Sequence, residues 1–147
     1  KTPGKTRILH FYVVPEIICL VDLPGYGYSK ASKKENALIE KMLRHYFNES
    51  RRVKKIFILL DIRRLPSEQD LAIMQGFNTL NLPWSLIVTK IDKISKHLRK
   101  PQITRMISAC SLQNEDPVIA CSAHTKTGFS ELWSHLKYLS HSEQAEC

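Results

Sequence analysis

No stretch of the 147 residues is apolar for long enough to cross a bilayer, which takes roughly 20 consecutive apolar residues. The first residues show no signal-peptide pattern, so a cytoplasmic protein without membrane attachment is the expectation. Cysteine is scarce: Cys19, Cys110, Cys121 and Cys147 include no C-x-x-C pair, and no histidine stands beside them at zinc-ligand spacing. That pattern argues against a disulfide-stapled scaffold and against a zinc finger. Cys19 and Cys121 lie inside apolar runs and read as buried, reduced thiols. The six histidines are scattered and suggest no shared site. Repeats, low-complexity tracts and long linkers are lacking. So is an initiator methionine: Lys1 comes first and the methionines are Met42, Met74 and Met106, so a fragment or processed product is expected.

Acid is the other shortage. Fourteen Asp and Glu face 22 Lys and Arg, for a net charge of +8. The excess is local: residues 30–55 hold nine Lys or Arg against three Glu, and residues 90–105 hold six against one Asp. Basic segments of this kind suit an anionic partner, with RNA the commonest in a cytosol, or else form a merely solvated surface. What remains is ordinary for one compact soluble domain, with 43% hydrophobic and 24% charged residues.

The chain alternates strand-like and helix-like segments. Arg7–Val14 reads as a strand, Pro15-Glu16 as a turn, and Ile17–Asp22 as an apolar strand ending in an acid. Pro24, Gly25 and Gly27 make Leu23–Lys34 a loop. In Glu35–Asn48, Leu38, Ile39, Met42, Leu43, Tyr46 and Phe47 recur at helical spacing. Ile56–Asp61 is a second buried strand ending in an acid, and Ser67-Glu68-Gln69-Asp70 starts a helix running to about Leu80. Leu86–Thr89 reads as a third buried strand and Val118–Cys121 as a fourth, with a helix between them whose first turn takes Pro101. A final amphipathic helix, Phe129–Leu139, turns Phe129, Leu132, Trp133, Leu136 and Leu139 inward. Apolar strands separated by helices imply an α/β fold of three layers, a mostly parallel sheet covered on both faces. Ligands in such sheets sit at the carboxyl ends of the strands. Four distinctive segments fall there: DLPG, DIRR, TKID and CSA.

Asp22-Leu23-Pro24-Gly25 places a carboxylate at a strand end, able to hold a water of a magnesium ion. Gly25 lacks a side chain, so its N–H can approach a terminal phosphate closely; an ordinary Pro-Gly turn has the same letters. Thr89-Lys90-Ile91-Asp92 offers a carboxylate to the two donors on the Watson–Crick edge of guanine, a pair that adenine lacks. The Lys90 stem can lie along the purine face. Cys121-Ser122-Ala123 supplies a small residue whose backbone N–H can reach the guanine O6. Asp61 and Arg63 of DIRR read as structural.

In order and spacing these segments resemble a small GTPase domain. KTPGKTRILHFY and LVDLPGYGYSK are similar to one family in particular, the EngB (YihA/YsxC) ribosome-biogenesis GTP-binding proteins. The resemblance runs from Lys1 to about Leu139. Thr89 stands where many GTPases carry Asn, and this family commonly has Thr there.

Gly4-Lys5-Thr6 ends like a G-x-x-x-x-G-K-[ST] phosphate loop, but the first glycine of that motif would fall before Lys1. The local order also differs, since a phosphate loop follows a strand and opens a helix, whereas Gly4-Lys5-Thr6 precedes the strand-like Arg7–Val14. The resemblance makes this stretch switch I and residues 25–34 switch II. It implies a Ras-like P-loop GTPase fold over residues 1–140, truncated at its amino terminus and lacking the first strand, phosphate loop and first helix, with residues 141–147 as a tail.

It further implies a GTP-binding switch that hydrolyses GTP to GDP in large-ribosomal-subunit assembly, linked to bacterial cell division and acting as a monomer. Its nucleotide-binding set is Gly4, Lys5, Thr6, Arg7, Ile8, Asp22, Leu23, Pro24, Gly25, Thr89, Lys90, Ile91, Asp92, Cys121, Ser122 and Ala123. Mg2+ would be held by Thr6, and by Asp22 through a water. Tyr26 stands where many GTPases place the Gln that orients the attacking water, so slow intrinsic hydrolysis is expected, and a packing or docking surface formed by Tyr26 and Tyr28 stays open as the alternative role. Two alternatives stay open: a non-catalytic RNA- or ribosome-binding module with a degenerate GTPase fold, and a metabolic α/β enzyme, for which no catalytic dyad is evident.

Overall fold

A computed structural model describes residues 9–23, 41, 45–47, 53–110 and 117–141. The chain divides into two compact units, Lys1–Val53 and Lys54–Cys147.

The first unit holds an antiparallel hairpin of β1 (His10–Val14) and β2 (Ile18–Asp22), in register from His10↔Asp22 to Val14↔Ile18. Pro15 and Glu16 turn the chain as their composition suggests, with Glu16 in the left-handed region (φ 60°) and Ile17 N donating to Val14 O at 3.1 Å. β2 departs from the expected buried strand. Cys19 and Leu20 are exposed, as are Phe11, Tyr12 and Val13 of β1. The expectation that Cys19 is buried is therefore corrected: among the described residues β2 pairs with a single antiparallel strand, and such a strand has no second layer guaranteed to it. Of the helix expected over residues 35–48, Lys41 and residues 45–47 are described, and they are helical. Tyr46 meets Phe47 and Phe11 edge-on, with ring centroids 5.4 and 6.5 Å apart. Leu38, Ile39, Met42 and Leu43 lie outside the described residues.

The second unit is built on a parallel sheet in the order β3 (Ile56–Asp61), β4 (Trp84–Thr89), β5 (Ile119–Ala120). β4 lies between the other two and is buried residue after residue from Trp84 to Val88. β3 alternates instead: Ile56, Ile58 and Leu60 are buried while Leu59 is 60% exposed, so its second face is less covered than its composition suggests. Phe57 on that face meets His135 of α3 (Phe129–His141) edge-on at 6.0 Å. Met74 of α1 (Glu68–Thr79), Met106 and Cys110 of α2 (Lys96–Cys110) and Leu136 of α3 complete the core.

Local chemistry sets the helix ends. Ser67 caps α1 in a reciprocal box: Asp70 N donates to Ser67 Oγ at 3.2 Å, and Ser67 N donates to Asp70 Oδ2 at 2.8 Å. Burial works against the charge of Asp70, but hydrogen bonds from Arg64 and Ser67 outweigh it and hold the carboxyl below its ordinary range. At the other end Asn81 takes the left-handed conformation (φ 52°). Asn81 N reaches Asn78 O at 3.1 Å and Leu82 N reaches Phe77 O at 2.9 Å, the two bonds of a Schellman close.

Two helical expectations change. Pro101 is not in the first turn of α2, which starts five residues earlier at Lys96. The ring stands on the exposed side and removes one intrahelical donor there, which the helix tolerates. Phe129 and Trp133 of α3 face outward rather than into the core; each lies under a lysine, Lys126 at 5.2 Å and Lys137 at 5.7 Å from the ring centroids. Leu132, Leu136 and Leu139 form the inward side. No described helix is long and apolar enough to cross a membrane.

Candidate functional site

Because β3, β4 and β5 run parallel, their carboxyl ends share one edge of the sheet. The ladder continues past the strands: Ile62 N donates to Thr89 O at 3.0 Å and Cys121 N to Val88 O at 2.8 Å. Thr89 Oγ1 donates to Leu60 O at 3.1 Å, so its side chain ties β4 to β3. Lys90 then adopts the left-handed conformation (φ 58°, ψ 35°) and begins a single 3-10 turn, Ile91–Lys93. The turn buries Ile91, whose N–H reaches Cys121 O at 3.3 Å, and carries Asp92 to the β5 side.

There the two segments meet. Ser122 is fully buried, and its Oγ donates to Asp92 Oδ1 at 2.6 Å while accepting from Thr125 N at 3.1 Å. The hydroxyl has one proton, so the Thr125 amide fixes it as a donor toward Asp92. The Ser122 hydrogen bond, with help from Lys93 at 3.4 Å, holds the Asp92 carboxyl below its ordinary range. Asp92 is therefore a preset, ionised acceptor at neutral pH. The loop after β5 is pinned from behind: Ser122 N donates to Thr127 O at 3.0 Å, and Gly128 sits at φ 79° against β5. A Cβ on Gly128 would stand 2.1 Å from Ala120 O, so only glycine fits. Burial pushes the Cys121 thiol up, which makes it a packing group rather than a nucleophile.

A carboxylate from β3 joins this edge. Arg63 grips Asp61 through Nε at 2.9 Å, Nη2 at 2.7 Å and its backbone N at 3.0 Å. Lys90 Nζ approaches Asp61 Oδ2 to 3.0 Å. The Arg63 hydrogen bonds, foremost, hold the Asp61 carboxyl well below the usual carboxylate range. Composition marks Asp61 and Arg63 as structural; the partnership of Asp61 with Lys90 carries no signal in spacing, because it crosses between strands.

The structure thus gathers Thr89, Lys90, Ile91, Asp92, Cys121, Ser122 and Ala123 at one sheet edge, with Ala123 exposed. Asp22 and Leu23 close β2 in the first unit, Asp22 exposed and in register with His10. Gly4, Lys5, Thr6, Arg7, Ile8, Pro24 and Gly25 lie outside the described residues, as does Tyr26. Among the described residues no three His, Cys, Asp or Glu side chains gather as a metal site.

No family model matches the chain. Among curated proteins, the chain is 38% identical over 132 residues to a probable GTP-binding protein EngB of Thermotoga maritima, spanning 90% of this chain and 68% of that protein. It is 40% identical over 131 residues to the protein of the same description from Caldanaerobacter subterraneus, spanning 89% and 67%. The counterpart from Shouchella clausii is 38% identical over 139 residues, spanning 92% and 71%. A crystal structure of a probable GTP-binding protein engB superposes with a TM-score of 0.76 at 15% identity, over 93% of this chain and 85% of that one, which shows the fold alone. Era, solved in complex with MgGDPNP and nucleotides 1506–1542 of 16S ribosomal RNA, superposes with a TM-score of 0.68 at 25% identity, over 92% of this chain and 45% of that one. The architecture is therefore the α/β fold of these GTPases.

Proposed function

Since the chain belongs to the EngB family of GTP-binding proteins, we propose that it serves as a guanine-nucleotide switch, hydrolysing GTP to GDP during assembly of the large ribosomal subunit. The observation that carries the nucleotide reading is the Asp92–Ser122 pair at 2.6 Å. Ser122 occupies one lone pair of Oδ1, and the carboxylate keeps free acceptor capacity for the N1–H and exocyclic amine of guanine. The Ala123 amide is the donor for O6, and the Lys90 stem is the surface along the purine face. A base that lacks the donor pair leaves Asp92 unsatisfied, and that penalty selects guanine.

Magnesium would be held by Thr6 and, through a water, by Asp22, an exposed oxygen donor at a strand end. When bound, the ion neutralises charge on the phosphates. Ordering of residues around Thr6 and Gly25 by the terminal phosphate, and their release on hydrolysis, makes the switch.

Charge supports the RNA partner. α2 holds no acid, and its Lys96, Arg99, Lys100 and Arg105 have no carboxylate partner among the described residues, whereas Lys90 and Lys93 are paired. Era, similar in fold, carries ribosomal RNA in its crystal. Glu at Lys96, Lys100 and Arg105 is expected to weaken RNA binding and flatten its salt dependence; Glu at Lys33, Lys34, Arg51 and Arg52 ranks the other basic segment in the same assay. The link to cell division follows from a shortage of finished subunits. The protein acts as a monomer in the cytoplasm.

A second reading, an RNA-binding module without nucleotide, is favoured by one observation: Lys96, Arg99, Lys100 and Arg105 of α2 have no carboxylate partner among the described residues. Titration with fluorescent GDP decides between them, using this chain and the product of the whole coding sequence. Base-selective binding by the product of the whole coding sequence supports the switch; RNA binding without guanine nucleotide binding supports the module.

A further inference from the structure

Lys90 is not a free surface lysine. It is the first residue beyond β4, and Asp61 is the last of β3, in register with Thr89. To reach Asp61 the side chain must cross from one strand to the next, a spacing of about 4.8 Å. It does so from a left-handed backbone, which a residue with a Cβ adopts only at some expense, and its Nζ ends 3.0 Å from Oδ2. The DIRR turn does not need this contact. Arg63 alone gives Asp61 two guanidinium hydrogen bonds and a backbone one within a span of three residues. The lysine is therefore an addition to a clamp that is already complete.

We propose that Asp61 is a positioning residue for base recognition. Held rigid by Arg63, it anchors the Lys90 ammonium, and the stretched aliphatic stem becomes a preset floor at the entrance to Asp92. This inference rests on the guanine-binding reading and extends it. A tethered lysine has already lost the rotamer freedom that stacking against a base would take from it, so the base meets a prepared surface. Asp61 touches no base; it acts through Lys90, and so it sets affinity for the purine rather than the choice between purines, which belongs to Asp92.

A double-mutant cycle tests this on the protein at its full natural length, with fluorescent GDP and XDP as probes. Asp61→Asn is expected to weaken GDP binding about fivefold, the scale of a part-exposed ion pair, and to leave the GDP-to-XDP ratio unchanged. Lys90→Met is expected to weaken it at least as much. Adding Asp61→Asn to Lys90→Met is expected to cost nothing further, because the anchor then holds nothing. In wild type the Lys90 ammonium is expected to be ordered by 15N relaxation, and mobile in Asp61→Asn. Should Asp61→Asn fail to fold, Asp61→Glu keeps the charge but shifts the anchor by one methylene, and a smaller loss with the same non-additivity is expected. Losses that multiply in the double variant, or an Asp61→Asn protein that binds GDP like wild type, would overturn the proposal alone. Wild type that binds no guanine nucleotide would overturn the function on which it rests.

Discussion

β2 and β3 are both short apolar runs closed by an aspartate, ICLVD and IFILLD. Among the described residues β2 is hydrogen-bonded only to β1, and Cys19 and Leu20 stand exposed. β3 pairs in parallel with β4, the strand buried from Trp84 to Val88, and turns Ile56, Ile58 and Leu60 into the core. Their aspartates differ as well. Asp22 ends an exposed strand, whereas Asp61 is gripped by Arg63 and Lys90. What a run of apolar residues becomes depends on the layers that its neighbours supply, which the run itself does not encode.

The sharpest way to break this comparison is thiol labelling, read site by site by mass spectrometry. Cys19 is expected to react at nearly the rate of an unfolded chain. Cys121, at the end of β5, is buried with its thiol pushed up, and it reacts only when the second unit opens. Its rate is expected to be lower by roughly a thousandfold or more, as befits a domain stable by several kcal/mol. Equal rates would erase the distinction between the two regions.

Truncation in each strand comes next. Leu60→Ala removes a side chain with no exposed surface and is expected to destabilise by about 2–5 kcal/mol in urea unfolding. Leu20→Ala, on the exposed strand, is expected to stay within about 0.5 kcal/mol. A large loss at Leu20 would mean that the hairpin is covered after all.

Smaller effects probe how the second unit is specified locally. Ser67→Ala removes the cap of α1 and is expected to cost about 1 kcal/mol in the same measurement. The last probe is acid. Asp61 and Asp70 both have folded pKa values below the unfolded value of about 3.9, so the unfolded chain binds protons first as pH falls. Their contribution is present above about pH 4 and is lost as pH drops through the folded values, read as a fall in Tm that Asp61→Asn and Asp70→Asn reduce.

Much of the second unit was legible because its signals are local. The apolar run of β3, the capping residues of α1 and the two segments around Asp92 and Ser122 stand in the sequence where the structure has them. Elsewhere the deciding physics was not local. Cys19 was misjudged because an apolar neighbourhood in sequence is not a layer in space. Pro101 was read as a helix start, yet α2 begins earlier and places the ring on its exposed side, where one lost donor matters little. Phe129 and Trp133 fit the helical period but take lysines over their rings instead of the core. The Asp61–Lys90 bridge joins residues on neighbouring strands, and only strand order and register bring them together. In the first unit, of the residues named for phosphate and magnesium contact, Asp22 and Leu23 are described and the others lie outside the described residues.

Competition between GDP and XDP, before and after Asp92→Asn, bears most directly on the guanine pocket. Xanthine carries a carbonyl where guanine has its exocyclic amine, so a carboxylate repels it and an asparagine amide can donate to it. At its full natural length the wild-type protein should prefer GDP by about a hundredfold or more, and Asp92→Asn should reverse that order. Equal binding of the two nucleotides by wild type, or a preference that Asp92→Asn leaves untouched, would contradict the assignment of Asp92 to guanine.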